Sequence, residues 1–194
     1  MENLEIKQNK RFDFHPTPLE GLWVVQRKPV EDQRGFFCRF FCAEEFQVAG
    51  LKKTIAQINH TRTQKQGAVR GMHFQYPPHA EMKLVSCIRG MIWDVAVDLR
   101  AGSPTFLQWH AEELSADNNR ALLIPEGFAH GFQALGDDVE VLYLSSSPYA
   151  PRAEGGMNPQ DPRLAIHWPL PITELSARDS KCPLLKNDFR GIEL

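Results

Sequence analysis

The chain has 194 residues, with 22 Lys and Arg against 24 Asp and Glu, which gives a formal net charge of -2 at neutral pH. No run of basic residues is present, and this argues against a nucleic-acid-binding face or a polybasic membrane anchor. A chain of this length can bury a core without disulfide or metal staples, so we predict one domain over residues 1–194.

Targeting signals and cysteine usage favour a cytoplasmic protein. Residues 1–14 are polar and charged and lack the apolar centre of a signal peptide, and no segment approaches the roughly 18 apolar residues that a membrane span needs. The four cysteines, Cys38, Cys42, Cys87 and Cys182, are scattered and form no Cys-x-x-Cys motif. This pattern indicates reduced thiols, as in a reducing compartment.

Short runs of β-branched and aromatic residues recur at intervals of about 8 to 12 residues, which is typical of an all-β sandwich or barrel. Between them we expect one short helix at residues 43–49, ended by Gly50, and one helical turn at 175–179. The last two strands are predicted to form a hairpin around Gly136. The predicted strands lie at residues 22–27, 36–41, 55–63, 83–88, 91–99, 105–113, 121–124, 128–135 and 139–144.

The two ends of the chain lack this regular spacing of predicted strands. Residues 1–20 form an N-terminal extension before the first predicted strand. Residues 148–171 contain six prolines and little periodicity, so we expect residues 148–194 to wrap irregularly around the outside of the domain.

Ionisable residues in the stretch 69–100 point to a site. A strand does not need His73, Lys83 or Asp94 for its own stability, because apolar or Thr side chains suit a pleated surface better. Asp94 shares one face of its strand with Ala96 and Asp98. If that face lines a cavity, Asp94 is placed to orient Lys83; the alternative is a strand that faces solvent.

Four residues are each open to two interpretations. His73 is followed by Gln75, where metal-binding jelly rolls commonly have a second histidine, so a metal site with His79 and Glu81 is disfavoured. Tyr143, within V-L-Y-L, is flanked by apolar residues, and the usual interpretation of such a residue is a core tyrosine with one hydrogen bond. Arg34 and Arg70 each precede a glycine, and a guanidinium fork beside an approachable backbone suits a diphosphate.

Ten motifs in order along most of the chain resemble the dTDP-4-dehydrorhamnose 3,5-epimerase family. They are D-Q-R-G-F-F (32–37), Q-I-N-H-T (57–61), V-R-G-M-H-F-Q (69–75), M-K-L-V (82–85), W-D-V-A-V-D-L-R (93–100), S-P-T-F (103–106), I-P-E-G-F-A-H-G-F (124–132), V-L-Y (141–143), I-H-W-P (166–169) and L-S-A-R-D (175–179).

The resemblance implies a cupin-like jelly roll that forms a homodimer by exchanging N-terminal strands and works without a metal or an organic cofactor. The implied substrate is a nucleotide-diphosphate 4-keto-6-deoxyhexose, whose product feeds polysaccharide or natural-product biosynthesis. By position, His73 matches the family's general base and Asp179 its orienting acid. Lys83 matches the cation that steadies the enolate, and Tyr143 matches the acid that returns a proton from the opposite face. The substrate-contacting positions correspond to Arg34, Phe37, Arg39, Gln57, Asn59, Arg70, His130 and Tyr149.

Three departures from the family pattern leave the substrate open. Arg39 stands where the family usually has Glu, Leu144 where a Lys often follows the tyrosine, and Pro159-Gln160 replaces Trp-Asn. We therefore keep, as alternatives, an epimerase acting at C3 or C5 alone or on a CDP- or GDP-linked sugar. A metal-dependent cupin enzyme and a non-catalytic sugar-binding jelly roll are the more distant alternatives.

Overall fold

The computed structural model describes residues 5–194, which form antiparallel strands with two short 3₁₀ helices, Glu45–Ala49 and Asp179–Lys181. None of the helices among these residues has the length and apolar character needed to cross a bilayer. The strands are Lys7–Gln8 (β1), Phe12–Pro16 (β2), Trp23–Arg27 (β3), Val30–Asp32 (β4), Gly35–Phe37 (β5), Gln57–Thr63 (β6), Val69–Gln75 (β7), Lys83–Arg89 (β8), Met91–Asp98 (β9), Trp109–Ser115 (β10), Arg120–Ile124 (β11), Phe128–Ala134 (β12), Val139–Ser145 (β13) and Glu154–Gly156 (β14).

The strands form two sheets and a separate hairpin. One sheet has the order β1-β2-β3-β11-β8-β13-β6 and the other has the order β10-β9-β12-β7-β14, while β4 and β5 pair with each other. Neighbours in each sheet are mostly distant in sequence, as when β8 lies between β11 and β13. The predicted all-β jelly roll is confirmed.

The hairpin predicted around Gly136 is wrong. Strand β12 pairs with β7 and β9, whereas β13 pairs with β6 and β8 in the other sheet. Residues 136–138 therefore carry the chain from one sheet to the opposite one. Two alternating strands around a polar turn are compatible with either arrangement, because the pattern shows which face is buried but not which strand lies alongside.

The strand predicted at 36–41 ends early, at Phe37, and residues 38–41 are irregular. Phe41 leaves the sheet to pack against Phe46, with ring centroids 5.2 Å apart. The predicted helix that follows is the 3₁₀ helix at Glu45–Ala49. Gly50 ends it in the left-handed conformation (φ 90°), with its N–H donating to the carbonyl of Gln47, as expected for a glycine just past a helix.

Three apolar clusters hold these layers together. The first lies between the two sheets and includes Val85, Ile92 and Val141. The second covers the outer face of the seven-stranded sheet, and the third covers the outer face of the five-stranded sheet with side chains of the C-terminal segment. At about 1.5–3 kcal/mol for each fully buried large side chain, these clusters are the main stabilising contribution.

The interior cluster fills only part of the space between the sheets. On β8, Val85 and Cys87 belong to it, but Lys83 at the start of the strand does not. On β13, Val141 belongs to it, whereas Ser145 at the end of the strand is the Cα partner of Lys83. The strand ends around Lys83 and Ser145 therefore border an open space.

Candidate active site

A cavity of about 990 Å³ opens between the sheets at this end of the jelly roll. Its walls come from strands of both sheets and from the segment that leads into the second 3₁₀ helix. The four residues predicted to be catalytic all line it: His73, Lys83, Tyr143 and Asp179. Residues separated by more than 100 positions in the chain therefore share one chamber.

Five of the eight predicted substrate-contacting residues line the same cavity, namely Gln57, Asn59, Arg70, His130 and Tyr149. Side chains alternate along β6, because Gln57 and Asn59 face the cavity and Ile58 between them is exposed. Polar side chains on one face of this edge strand thus supply donors and acceptors to the chamber.

The other three predicted substrate-contacting residues lie outside this cavity. Arg34 forms an ion pair with Asp32 at the turn between β4 and β5, and Phe37 is 58% exposed. Arg39 pairs with Glu45 over 3.0 Å. Within one chain, the structure does not bring these three residues to the site.

His73 and Asp179 form a close pair across the cavity wall, with Nε2 of His73 lying 2.7 Å from Oδ1 of Asp179. Asp179 is only 3% exposed, and its Oδ2 accepts a hydrogen bond from the Gly71 N–H. Burial by itself raises the pKa of Asp179, but the hydrogen bond and charge of His73 outweigh it and the pKa is lowered. The carboxylate is therefore held ionised beside the imidazole.

Arg178 lies beside this pair and is not among the site residues predicted from the sequence. Its Nη2 is 2.6 Å from Nε2 of His73, and its Nη1 is 2.7 Å from Oε1 of Glu154. The motif L-S-A-R-D contains Arg178 directly before Asp179, and this adjacency was the signal available in the sequence. A cation thus touches the same imidazole nitrogen as the carboxylate does.

A second histidine–carboxylate pair, His130 and Asp94, adjoins the first. His130 on β12 is the Cα partner of His73 on β7, and its Nε2 lies 2.7 Å from Oδ1 of Asp94 on β9. Asp94 is 0% exposed, and burial raises its pKa, opposed by the charges of His130 and Lys83.

The prediction that Asp94 orients Lys83 is therefore wrong, because the hydrogen-bond partner of Asp94 is His130. The alternative, a solvent-facing strand, is also wrong, since Asp94 and Asp98 are fully buried. Strand β9 is covered on both faces, by the interior and by the C-terminal segment. Because both faces of β9 are buried, the alternation of polar and apolar residues along this strand could not show which face points to the interior.

Close backbone contact between β7 and β12 sets the two histidines side by side. A Cβ placed on Gly71 would lie 2.5 Å from Cα of Gly131, so only glycine fits there. Gly71 also has a φ of 126°, a backbone conformation that residues other than glycine rarely adopt. The pairing register shifts between His130 and Phe132, a β-bulge of the kind that re-aims side chains near active sites.

Lys83 and Tyr143 complete the chamber on the seven-stranded sheet. The ammonium of Lys83 lies 3.1 Å from a carboxylate oxygen of Glu81. Burial, and to a smaller degree the charge of Glu81, raises the pKa of Tyr143, so the phenol keeps its proton at neutral pH. The chamber therefore combines an imidazole with a carboxylate partner, an ammonium and a protonated phenol.

The metal ligation considered for His73, His79 and Glu81 has no counterpart in the geometry. Among residues 5–194, no three His, Cys, Asp or Glu side chains are grouped closely enough to hold one metal ion. His79 contacts Tyr76 through its backbone N–H and does not line the cavity.

Comparison with known proteins identifies the family to which the chain is similar. The family model for dTDP-4-dehydrorhamnose 3,5-epimerase matches residues 16–187. The dTDP-4-dehydrorhamnose 3,5-epimerase of Salmonella typhimurium is 43% identical over 171 residues, which is 87% of this chain and 93% of that protein. The dTDP-4-dehydrorhamnose 3-epimerase of Streptomyces niveus is 40% identical over 173 residues, covering 89% of this chain and 83% of that protein.

The similarity extends to solved structures. The crystal structure of the dTDP-6-deoxy-D-glucose-3,5-epimerase of Legionella pneumophila, in complex with dTDP-4-keto-L-rhamnose, has a TM-score of 0.85 to this chain. The two are 39% identical, and the match covers 89% of this chain and 92% of that one. This chain belongs to the dTDP-4-dehydrorhamnose 3,5-epimerase family.

Proposed function

We propose that this isomerase epimerises a dTDP-linked 4-keto-6-deoxyhexose by removing and returning a proton next to the C4 ketone. The observation that carries the proposal is the single chamber in which His73, paired to Asp179, lies with Lys83 and Tyr143. Relatives at 40–43% identity that carry epimerase names, and a neighbour solved with a dTDP-4-keto sugar, support the substrate class.

The first half of the reaction is proton abstraction. His73 takes the proton from carbon next to the ketone, and the electrons of the C–H bond form a C=C bond while the ketone oxygen becomes an enolate. Asp179 fixes the ring tautomer and stabilises the imidazolium that results. The ammonium of Lys83 stabilises the charge on the enolate oxygen, and interactions of this kind are usually the largest contribution to catalysis.

The second half is proton return on the other face of the sugar. Tyr143, whose raised pKa keeps it protonated, donates its phenolic proton to the same carbon, and the enolate collapses back to the ketone. Proton exchange with water then returns the phenolate of Tyr143 and the imidazolium of His73 to their starting protonation states. Inversion follows because the base and the acid act from opposite sides.

Polar side chains around the chamber are proposed to bind the rest of the substrate. Arg70 is held by Thr63 and by the backbone carbonyl of Arg62, at 2.8 and 3.1 Å, which leaves its guanidinium ordered for a diphosphate. Gln57 and Asn59 face the sugar position, with Tyr149 nearby; Tyr149 N–H donates to Gln57 at 2.8 Å. No metal and no organic cofactor takes part in this scheme.

We infer a homodimer with exchanged N-terminal strands, in which each chain completes the other's site. The hairpin of β4 and β5 exposes Phe36 by 69% and Phe37 by 58%, and Ile58 is exposed on the edge strand β6. Arg34, Phe37 and Arg39 lie on or just after that hairpin and outside their own chain's cavity, so a partner's cavity is the place proposed for them. Light scattering that gives a monomer mass would reject the dimer.

We place the protein in the cytoplasm. All four cysteines are free thiols in the structure, which suits a reducing compartment. Fractionation of cells that express the untagged protein tests this placement.

The number of inverted centres and the nucleotide are decided by one experiment. Incubation in D₂O with dTDP-4-keto-6-deoxyglucose, followed by NMR, is expected to show deuterium entering at C3, at C5 or at both. The matching CDP- and GDP-linked sugars test whether Arg39, which is tied to Glu45, changes the choice of base. Failure of every one of these sugars to exchange would reject the proposed function.

A further inference from the structure

One nitrogen of His73 contacts two partners of opposite hydrogen-bonding character. Nε2 lies 2.7 Å from the carboxylate oxygen of Asp179, which can only accept, and 2.6 Å from the guanidinium of Arg178, which can only donate. A ring nitrogen of a neutral imidazole either carries a proton and donates or has a lone pair and accepts. The two contacts therefore belong to two different tautomers of His73.

The two tautomers differ in whether the other ring nitrogen, Nδ1, carries a proton. When Nε2 donates to Asp179, Nδ1 has a free lone pair and can take a proton. When Nε2 accepts from Arg178, the proton sits on Nδ1, and that nitrogen cannot act as a base. The form of the ring thus depends on whether Arg178 stays where the structure places it.

Arg178 is bound at the rim of the cavity and also lies near the buried carboxylate, since its Nε is 3.5 Å from Oδ1 of Asp179. Its side chain is 53% exposed, and Nη1 is tethered to Glu154, whose second oxygen accepts a hydrogen bond from the Tyr149 hydroxyl at 2.9 Å. The other charged or titratable side chains lining the same chamber are Arg62, Arg70, Glu81, Lys83, His130, Tyr143 and Glu174. Arg70 and Lys83 have their own partners, Thr63 with the Arg62 carbonyl and Glu81 respectively.

We propose that Arg178 is a positioning residue that acts through His73 and links occupancy of the cavity to the tautomer of the base. In the empty cavity, Arg178 donates to Nε2 and holds the proton on Nδ1. An anionic group that enters the cavity draws the guanidinium away, Nε2 then donates to Asp179, and Nδ1 becomes the base. This inference rests on the proposed function, since it takes His73 as the base and a diphosphate as the anion.

The test reads the tautomer directly, by ¹⁵N–¹H correlation spectra of the imidazole rings in the whole protein, with inorganic pyrophosphate as the probe. Without pyrophosphate, we expect the unprotonated type of ¹⁵N shift at Nε2 of His73; with saturating pyrophosphate, we expect the protonated type. In Arg178→Gln, the protonated type is expected in both conditions. Arg178→Lys, which keeps a donor cation, is expected to restore the response to pyrophosphate.

Arg152→Gln is the matched control. Arg152 is an exposed arginine of the same C-terminal segment and does not line the cavity, so its variant should respond to pyrophosphate as the native protein does. The proposal is overturned if Nε2 is already protonated in the empty native protein, or if Arg178→Gln leaves the spectrum unchanged.

The outcome can be separated from that of the proposed function, because the tautomer is read without turnover. Loss of the pyrophosphate response with deuterium exchange intact rejects only the role of Arg178. Absence of exchange with an intact tautomer response rejects only the reaction.

Discussion

The pairs His73–Asp179 and His130–Asp94 join the same two chemical groups over the same 2.7 Å, on adjacent strands of one sheet. They differ in how the carboxylate is surrounded. Asp179 reaches the sheet from the C-terminal segment and also accepts from the Gly71 N–H, and its pKa is lowered. Asp94 lies inside the sheet with one oxygen that has no partner among residues 5–194, and its pKa is raised.

The surroundings of a carboxylate, rather than its partner, decide what such a pair can do. An ionised Asp179 can stabilise a positive imidazole, which suits a base that takes a proton from carbon. Asp94 resists ionisation because it is buried, so it favours sharing one proton with His130 over creating a separated ion pair. The second pair is suited to presenting a hydrogen bond to a substrate oxygen.

The largest expected effect separates the two histidines in activity. His73→Asn is expected to lower kcat/KM for deuterium exchange by about 10²–10⁴, the usual contribution of a general base. His130→Asn is expected to lower it by about 10–100, the equivalent of one hydrogen bond to a charged or developing charge. Equal losses of kcat/KM in the two variants would show that the two pairs contribute equally to catalysis, contrary to the difference in their surroundings.

The free energy of unfolding is expected to fall more when His130 is removed than when His73 is removed, which is the reverse of the order expected for activity. His130→Ala leaves Asp94 buried without its hydrogen-bond partner, and a buried polar group left unsatisfied typically destabilises by about 1–3 kcal/mol. His73→Ala leaves Asp179 with hydrogen bonds from the Gly71 N–H and from Nε of Arg178, so a smaller loss, of about 1 kcal/mol or less, is expected. Urea unfolding at one fixed protein concentration measures both; a larger loss for His73→Ala would contradict the difference in the partners that remain.

Whether a strand has one exposed face or two buried faces explains how much of the site could be predicted from the sequence. On the edge strand β6, one face meets the cavity and the other meets solvent, so the alternation of Gln57, Ile58 and Asn59 predicts the orientation correctly. On β9, both faces are buried, so the sequence could not decide whether Asp94 and Asp98 face the interior or solvent, and the partner suggested for Asp94 was wrong. Periodicity identifies faces only where one of them is wet.

Contacts between residues far apart in the chain could not be predicted from the periodicity of the sequence. His73 and Asp179 are 106 residues apart, and only the family resemblance suggested that they meet. Arg178 was overlooked although it directly precedes Asp179, because local sequence alone does not show that the C-terminal segment folds back onto β7. The crossing of residues 136–138 between sheets was missed because a local pattern cannot specify a distant partner strand.

The smallest effect, and the one that isolates the two carboxylates, is the pH dependence of stability. Because the pKa of Asp179 is lowered on folding, its stabilisation is fully present above the unfolded value, about 3.9, and is lost as the pH falls through the folded pKa. The native protein should therefore exceed Asp179→Asn in stability by a constant margin near pH 6, and that margin should shrink as the pH falls below about 3.9.

Asp94 should give the opposite slope. Because its pKa is raised on folding, its contribution is fully present below about 3.9 and is lost as the pH rises through the folded pKa. The stability of the native protein relative to Asp94→Asn should then fall with rising pH, by at most about 1.4 kcal/mol per pH unit. Urea midpoints between pH 3 and 7 measure both differences, and slopes of the same sign would mean that the two carboxylates share one environment after all.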